Sequence, residues 1–339
     1  MTIDGASTQV NAATNLFVGD MNHGADGSTL TIHDGTLTVG SMLFVGLGGN
    51  GSATQTGGVV NAPVRLHVAG SAGGTGEYRL EGGEVNVGQI LAVGDRGQGT
   101  FIQTGGTVNL PGTAGWHGVV IGDQDNSDGT YEISGGTMAV NSIWRGGHVG
   151  NKSTLRVITG APVINANWYR LNNNDCTLAM AVANDGVATV NLTDFGDIGG
   201  TLEMSIHNNI ALTAGDSFLL MNAGNSINGD FASKVESVFT TNKVGGNQYI
   251  ATYDPAQGQG TVEAAVGTGW EIVFPKANQG WVQIDNADSW PTLELLLDID
   301  FNGALPGNDL DALIDYIDEA GFAIEKPERS QAKKDVGSS

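Results

Sequence analysis

Acidic and amide residues near the C-terminal end of the chain are spaced as calcium ligands are. In a loop that starts at Asp298, oxygen-bearing side chains occupy positions 1, 3, 5 and 12, and glycine occupies position 6. Calcium prefers hard oxygen ligands, and such a loop adds the main-chain carbonyl of position 7. The sequence therefore predicts a Ca2+ site. Its ligands are Asp298, Asp300, Asn302, Ala304 (through its carbonyl oxygen) and Asp309.

Two predicted helices flank this loop. Residues 291–297 begin with Pro291, and proline is favoured at the first position of a helix. Residues 310–320 carry apolar side chains at helical spacing and are followed by Gly321, a typical helix end. An acidic helix–loop–helix that binds no ion is the alternative interpretation of the same pattern.

The segment from Asp298 to Leu313 resembles dockerin type I segments, in which aspartate also closes the loop and leucines follow it. The resemblance implies a calcium-dependent docking module with a cohesin-like protein partner. The chain departs from that pattern because one such loop is visible and because Pro306 stands at position 9. The cohesin-like partner therefore stays open.

A repeated unit organises the first half of the chain. In the copy that spans Gly76–Gln98, three short runs alternate apolar and polar residues, and glycine corners separate them. This is the pattern of three β-strands. One copy is too small to fold alone, but stacked copies bury a continuous apolar column. The copies begin at Gly27, Gly51, Gly76, Gly99, Gly129 and, more loosely, Lys152.

We therefore predict an all-β fold, a parallel β-solenoid (β-helix) with three strands per coil, followed by a small helix–loop–helix calcium-loop module. The solenoid is expected over 1–266, with less regular C-terminal coils or a cap, because strand-like alternation continues after the strict period fades at Cys176. A linker with short strands (267–290), the helix–loop–helix (291–324) and a disordered tail (325–339) complete the prediction.

Four aromatic residues are candidates for ligand binding. The coil that begins at Gly99 holds an insertion, 111–117, and insertions in solenoids form loops on one face, often the binding face. Aromatic rings aligned on such a face stack on sugar rings. Alternatively they pack in corners, and Trp144 fills the inner slot that Leu91 fills earlier. The candidates are Trp116, Trp144, Trp168 and Tyr169.

The charge balance disfavours several partners. The chain of 339 residues has 14 Lys and Arg against 36 Asp and Glu, a formal net charge of −22. Nucleic acids and anionic lipids attract basic surfaces, and the sequence has no long apolar run that could span a bilayer. We expect neither nucleic-acid binding nor membrane insertion. The single cysteine, Cys176, excludes an intramolecular disulfide and is expected to be buried.

The coils with a Gly-Gly-Thr corner followed by alternating valines, and the later segment from Gly215 to Phe231, resemble the autotransporter-like β-strand repeat proteins of bacterial surfaces. The resemblance covers residues 5–266. It implies a secreted or surface-attached protein with a structural or adhesive role. We therefore expect an extracellular or bacterial cell-surface location, and the first residues, MTIDGASTQV, do not have the pattern of a secretory signal.

Three functions are compatible with these features. The first is an extracellular structural or adhesive solenoid that self-assembles or docks to a protein partner through the calcium module. The second is a module that binds neutral polysaccharide. The third is a polysaccharide lyase or glycoside hydrolase, for which Asp95 and Asp123 are a candidate carboxylate pair because they occupy equivalent corners of successive coils. We expect no enzymatic activity, because the first 150 residues hold four arginines and no lysine with which a lyase could bind and deprotonate acidic sugars, and because turn chemistry accounts for Asp95 and Asp123.

Overall fold

The computed structural model describes residues 1–255, except 22, 23, 25, 147, 208, 209 and 237, together with the backbone of residues 270–273 and 281–284. The predicted calcium loop and its flanking helices lie outside these residues. Among the described residues, there is no helix long and apolar enough to cross a membrane.

The chain forms short strands that wind in one repeated direction. The first ten are β1 (Thr2–Ile3), β2 (Gln9–Ala12), β3 (Leu16–Asp20), β4 (Ser28–Ile32), β5 (Thr36–Val39), β6 (Met42–Leu47), β7 (Asn50–Gln55), β8 (Val59–Ala62), β9 (Arg65–Val68) and β10 (Thr75–Leu80). The next ten are β11 (Glu84–Val87), β12 (Ile90–Val93), β13 (Gln98–Gln103), β14 (Thr107–Leu110), β15 (Gly118–Ile121), β16 (Asp128–Ile133), β17 (Thr137–Arg145), β18 (Lys152–Val157), β19 (Val163–Leu171) and β20 (Cys176–Val182). The last are β21 (Val190–Leu192), β22 (Phe195–Ile198), β23 (Thr201–Ile206), β24 (Ser217–Ala223), β25 (Ser226–Gly229), β26 (Ser233–Glu236), β27 (Phe239–Val244), β28 (Gln248–Tyr253), β29 (Trp270–Val273) and β30 (Trp281–Ile284).

Three parallel faces result, one for each strand of a coil, so the predicted parallel β-solenoid with three strands per coil is confirmed. It has about eight turns. Face A contains ten parallel strands, in the order β1-β4-β7-β10-β13-β16-β18-β20-β23-β26. Face B contains β2, β5, β8, β11, β14, the first parts of β17 and β19, then β21 and β24; face C contains β3, β6, β9, β12, β15, the second parts of β17 and β19, then β22 and β25.

The register of face A corrects two of the predicted repeat starts. The middle four starts lie opposite one another, with Gly76 between Gly51 and Gly99 and with Gly99 opposite Gly129. At the ends, the residues in register are Ser28 and Ser153, one position after the predicted Gly27 and Lys152. The sequence pattern misplaced these two starts because serine, and not glycine, stands at the aligned position in both copies.

Glycine begins the middle coils because there is no room for a side chain. A Cβ atom on Gly129 would lie 2.2 Å from the carbonyl oxygen of Val93 and 2.5 Å from the amide nitrogen of Gly122. Gly122, at the preceding corner, has φ +63°, a left-handed conformation that strains other residues. Two glycines at this corner, Gly122 and Gly129, therefore let the chain turn from face C onto face A; at the corner before Gly76 the left-handed residue is Ala69, with φ +62°.

Alternating side chains from all three faces fill the interior. On face A the inward positions include an aromatic stack in which the ring of Phe101 lies 5.0 Å from Tyr78 and 4.8 Å from Tyr131. Each tyrosine donates a 2.6 Å hydrogen bond to a buried glutamine of the preceding coil: Tyr78 to Gln55 and Tyr131 to Gln103. The two glutamines are thus hydrogen-bonded although they are buried among apolar side chains.

The parallel stack continues past Cys176, where the strict sequence period fades. Strands β20, β23 and β26 extend face A in parallel register, as the predicted alternation indicated. On face B the stack ends when β28 pairs antiparallel with β24. Residues 1–236 and 240–252 form one compact unit. In the other unit, β29 and β30 pair antiparallel within the predicted linker.

Candidate functional site

The outer surface of face B carries a row of amide side chains, which we call the asparagine ladder. Strand residues that point outward at the same register position form it, one per coil. In chain order its members are Asn11, Thr38, Asn61, Asn86, Asn109, Ala139, Asn165, Asn191 and Asn222. Parallel in-register pairing brings like residues of successive coils to about 4.8 Å from one another, which is why one repeated residue type becomes a continuous surface.

Hydrogen bonds run along the ladder from coil to coil. Asn86 donates to Asn61 over 3.1 Å, and Asn109 donates to Asn86 over 3.0 Å. Each of these amides gives its NH2 group to the preceding coil and offers its carbonyl oxygen to the next. The ladder is therefore a surface of neutral donors and acceptors with a fixed direction.

The ladder is interrupted at Ala139. A groove of about 500 Å³ opens there, with Ala139 at its centre and with the amides of Asn109 and Asn165 on the coils before and after it. Pro111 and Thr113 of the insertion form part of its lining. The complete lining is Asn109, Leu110, Pro111, Thr113, Ala139, Val140, Asn141, Asn165, Ala166, Asn167 and Thr193. No lining residue is charged, so the groove is suited to a neutral polar ligand.

A second amide row runs along the edge of this groove. Asn167 donates to Asn141 over 2.8 Å, and the hydroxyl of Thr193 donates to Asn167 over 2.7 Å. Asn141 also donates to two carbonyl oxygens of the inserted loop, those of Ala114 and His117, each over 3.1 Å. The loop predicted at 111–117 is thus fixed against face B by a side chain of the next coil.

Trp116 is the most exposed of the four predicted aromatic residues, with 48% of its surface accessible. It lies on the same inserted loop, and its ring meets that of His117 edge to face at 4.2 Å. Trp116 is not part of the groove lining. It is an exposed ring on the loop whose Pro111 and Thr113 line the groove.

Trp144 points outward from face C. The residues in register with it on the adjacent strands are Val120 and Arg170. Its side chain packs against the buried Ile90, Ala92 and Val120. The alternative that Trp144 fills the inner slot of Leu91 is wrong, because Ile143 occupies that register position. Trp144 covers an apolar outer patch and is half-buried.

Trp168 and Tyr169 point to opposite sides of face C. The ring of Trp168 stacks on Phe195 at 6.1 Å, and the guanidinium carbon of Arg170 lies 5.4 Å from the Trp168 ring centre. Arg170 is itself held by Asp197 over 2.9 Å. Tyr169 is 0% exposed, so it is out of reach of a surface ligand. These two residues do not join Trp116 in one aligned aromatic row.

The structure brings together the candidate carboxylates Asp95 and Asp123. Burial, followed by the negative charge of the neighbouring Asp95, raises the pKa of Asp123. The buried His67 places Nδ1 3.0 Å from Oδ2 of Asp95, although the approach is off the line of a hydrogen bond. The three groups therefore form a chain in which Asp123 holds its proton more tightly than an ordinary aspartate.

Glycosidases place their two carboxyl groups at defined separations. Retaining and inverting enzymes separate their carboxyl groups by about 5 Å and by about 6.5–9.5 Å respectively, so that the sugar or a water fits between them. Asp95 and Asp123 lie at equivalent corners of successive coils, two residues after Val93 and Ile121, which are in register. Their place in a turn also accounts for both aspartates.

Several predicted groups stay outside this surface. The predicted calcium ligands Asp298, Asp300, Asn302, Ala304 and Asp309 lie outside the described residues. Within the described part of the chain, no group of three or more His, Cys, Asp or Glu side chains is placed to hold a metal ion. Cys176 is buried, at 1% exposure, and burial raises the pKa of its thiol, so the thiolate form is disfavoured.

The asparagine ladder is the feature that the sequence analysis missed. Its signal is present, because a valine–asparagine pair recurs at the same place in successive copies, as Val60-Asn61, Val85-Asn86 and Val108-Asn109. The recurrence of asparagine at this outward position predicts a row of amides once the coils are stacked in register.

In comparisons with known proteins, no protein-family model and no curated protein sequence matches this chain. The fold and the geometry above are therefore the basis for assigning a function.

Proposed function

We propose that this chain is an extracellular structural or adhesive β-solenoid protein. The observation that supports it best is the long in-register stack whose outer face B carries the asparagine ladder, a row of neutral hydrogen-bonding side chains. Ten strands of face A span about 43 Å at the usual strand spacing. A regular polar surface of this length suits repeated contacts with a repeating partner, such as a polymer or another copy.

The resemblance to autotransporter-like β-strand repeat proteins agrees with this proposal, since those proteins are secreted or surface-attached. The net charge of −22 keeps such a protein soluble and away from anionic surfaces. An adhesive role needs affinity for external material, and a structural role needs self-association. The two roles are separable by experiment.

Purified full-length protein would be examined by electron microscopy and by light scattering, with and without calcium, and incubated with insoluble neutral polysaccharides. Ordered multimers support a structural role, and retention on polysaccharide supports an adhesive one. A protein that stays monomeric at high concentration and is retained on none of these materials would overturn the proposal.

The C-terminal segment, by its resemblance to dockerin type I, is proposed to bind calcium and to dock the solenoid to a protein partner. Several carboxylates in one short loop repel each other, and calcium offsets this repulsion and drives local folding. Calorimetry of the full chain should show calcium uptake. Asp298→Ala should abolish it, while Asp288→Ala, an acidic change outside the loop, should leave it intact.

Neutral polysaccharide binding is a second candidate function. The uncharged amide-lined groove beside the exposed Trp116 favours it. It overlaps with the adhesive role, because an adhesin that recognises a glycan is both.

A further inference from the structure

We infer that the gap which Ala139 leaves in the asparagine ladder binds one pyranose unit of a neutral polysaccharide. The inference rests on the proposed adhesive function and names its ligand class and its contact site. The gap lies inside the groove of about 500 Å³. Its two sides are the amides of Asn109 and Asn165, and its floor is the methyl group of Ala139.

The hydrogen bonds of the ladder leave unsatisfied groups at this gap. Asn109 gives its NH2 group to Asn86, and among the described residues its carbonyl oxygen has no donor. In a complete ladder, the amide of the next coil would supply one, but residue 139 is alanine. Asn165, which is exposed, makes no side-chain hydrogen bond within the described part of the chain. The Asn109 side of the gap therefore offers an acceptor, and the Asn165 side offers both an acceptor and donors.

The size of the gap suits a sugar ring. With one rung absent, the strands of Asn109 and Asn165 lie about 10 Å apart, twice the usual strand spacing. A pyranose has hydroxyl groups at its edges, each of which both donates and accepts, and apolar faces of C–H bonds. Its edges would bond the two amides while one face rests on the alanine methyl group.

The chemistry of the lining excludes charged sugars as the preferred ligand. None of the eleven lining residues carries a charge. An acidic sugar would place its carboxylate beside amides without a cation, in a protein of net charge −22. Because the ladder continues on both sides of the gap, further units of a polymer would lie along face B and add weak hydrogen bonds.

The test fills the gap. Ala139→Asn adds the missing rung, so Asn109 gains a donor and the sugar loses its place. Thr38→Asn is the matched control, because it puts the same residue into the same ladder four rungs away. Wild-type and variant full-length proteins would be titrated with neutral hexaoses of β-1,4-, β-1,3- and α-1,4-linked glucose by calorimetry, and their unfolding temperatures would be compared.

Wild type is expected to bind at least one hexaose. Ala139→Asn should weaken that binding about tenfold or more at an equal or higher unfolding temperature, and Thr38→Asn should change neither quantity. Asn165→Ala, which removes an exposed amide without partners, should also weaken binding without loss of stability. It serves as the second variant if Ala139→Asn does not fold.

Equal binding by wild type and a folded Ala139→Asn variant would overturn this site. So would the absence of binding to every hexaose. If the protein is nevertheless retained on insoluble material or forms ordered multimers, the proposed adhesive or structural function stands and only this inference fails.

Discussion

The buried tyrosine–glutamine pairs show how single polar residues are tolerated inside the solenoid. Gln103 is 0% exposed, accepts from Tyr131, and donates to the carbonyl oxygens of Gly106 and Thr137 over 3.3 and 3.1 Å. The side-chain amide of Gln103 is thus bonded both within its own coil, to Gly106, and to the next coil, to Thr137 and Tyr131. The pair joins two coils by a directional contact as well as by apolar packing.

Removing one partner of such a pair should be costly. We predict that Tyr131→Phe destabilises the protein by about 1–3 kcal/mol, because the carbonyl oxygen of the Gln103 side chain stays buried without a donor. Urea unfolding of wild type and variant would measure the difference. A negligible change would show that water reaches Gln103, contrary to its complete burial.

The double variant Tyr131→Phe/Gln103→Leu provides the control. It removes both polar partners and keeps similar side-chain volumes. Its loss of stability should therefore be smaller than the sum of the losses caused by Gln103→Leu and Tyr131→Phe. The coupling energy from this double-mutant cycle reports the hydrogen bond itself.

Asp123 is predicted to make stability depend on pH. Its folded-state pKa is raised by burial and by Asp95, so the folded protein holds the proton more tightly than the unfolded chain does. Its contribution is therefore present at low pH and is lost as pH rises from the ordinary aspartate range through the raised pKa. Asp123→Asn mimics the protonated form and should raise the unfolding temperature at pH 7.

This gain should shrink as the pH is lowered toward the ordinary aspartate range, which thermal unfolding at several pH values would reveal. Glu203 is exposed on face A, and Glu203→Gln is the control for the loss of one negative charge. An equal gain from both variants would point to the overall charge and not to the Asp95–Asp123 contact.

Residue identity predicted the inward positions well and the outward ones poorly. Val10, Leu16 and Val18 lie opposite Leu37, Leu43 and Val45 at inner positions of the first coils. The interpretation that places Trp144 in the inner slot fails because the corner before it is one residue shorter than the corner before Leu91. Three positions separate Val140 from Ile143, where four separate Val87 from Leu91. Such local changes in corner length have no signal in composition or period.

At the scale of elements, the corners between strands fix the path of the chain. Gly94 and Gly73 both have left-handed φ, +69° and +78°. A Cβ atom on Gly94 would lie 2.3 Å from the carbonyl oxygen of Asp128 in the next coil, whereas one on Gly73 would meet nothing within 4 Å. A substitution at Gly73 therefore tests backbone strain alone, whereas a substitution at Gly94 tests strain together with lack of space.

We predict that Gly73→Ala costs about 1 kcal/mol, the price of the left-handed conformation alone. Gly94→Ala should cost about 3 kcal/mol or more, because neighbouring coils must also move apart. Urea unfolding would compare the two variants. Similar losses would mean that the spacing between coils adapts to a methyl group.

At the scale of the whole molecule, the stack should be shortened without loss of fold. Asn50 of β7 and Gln98 of β13 each lie opposite Thr75, so a chain without residues 51–98 can pass from Asn50 to Gly99 in register. The deletion removes Gln55 together with Tyr78, and no buried partner is orphaned. We predict a folded, β-rich protein of lower stability, because each coil contacts only its neighbours.

Circular dichroism and size-exclusion chromatography would test the shortened chain. Deletion of residues 51–87 is the control, because it joins Asn50 of face A to a corner that leads into face C. That variant should aggregate or stay unfolded. If both deletions behave alike, the coils are not interchangeable units.

The repeat explains how much of the architecture could be predicted. A period near 24 residues with three alternating runs implies stacked coils, and the register of Gly51, Gly76 and Gly99 follows from it. The groove could not be predicted, because it depends on one missing rung at Ala139 and on a loop folded over the next coil. The calcium loop stays a prediction, since it lies outside the described residues.

The burial of Cys176 gives the molecule a built-in reporter. The chain has one cysteine, and it lies at the start of β20 with 1% exposure. A maleimide dye can reach this sulfur only when the strands beside it separate locally, so its labelling rate measures how often this part of face A opens. The rate of cysteine labelling thus reports local opening of the stacked sheets without an engineered probe.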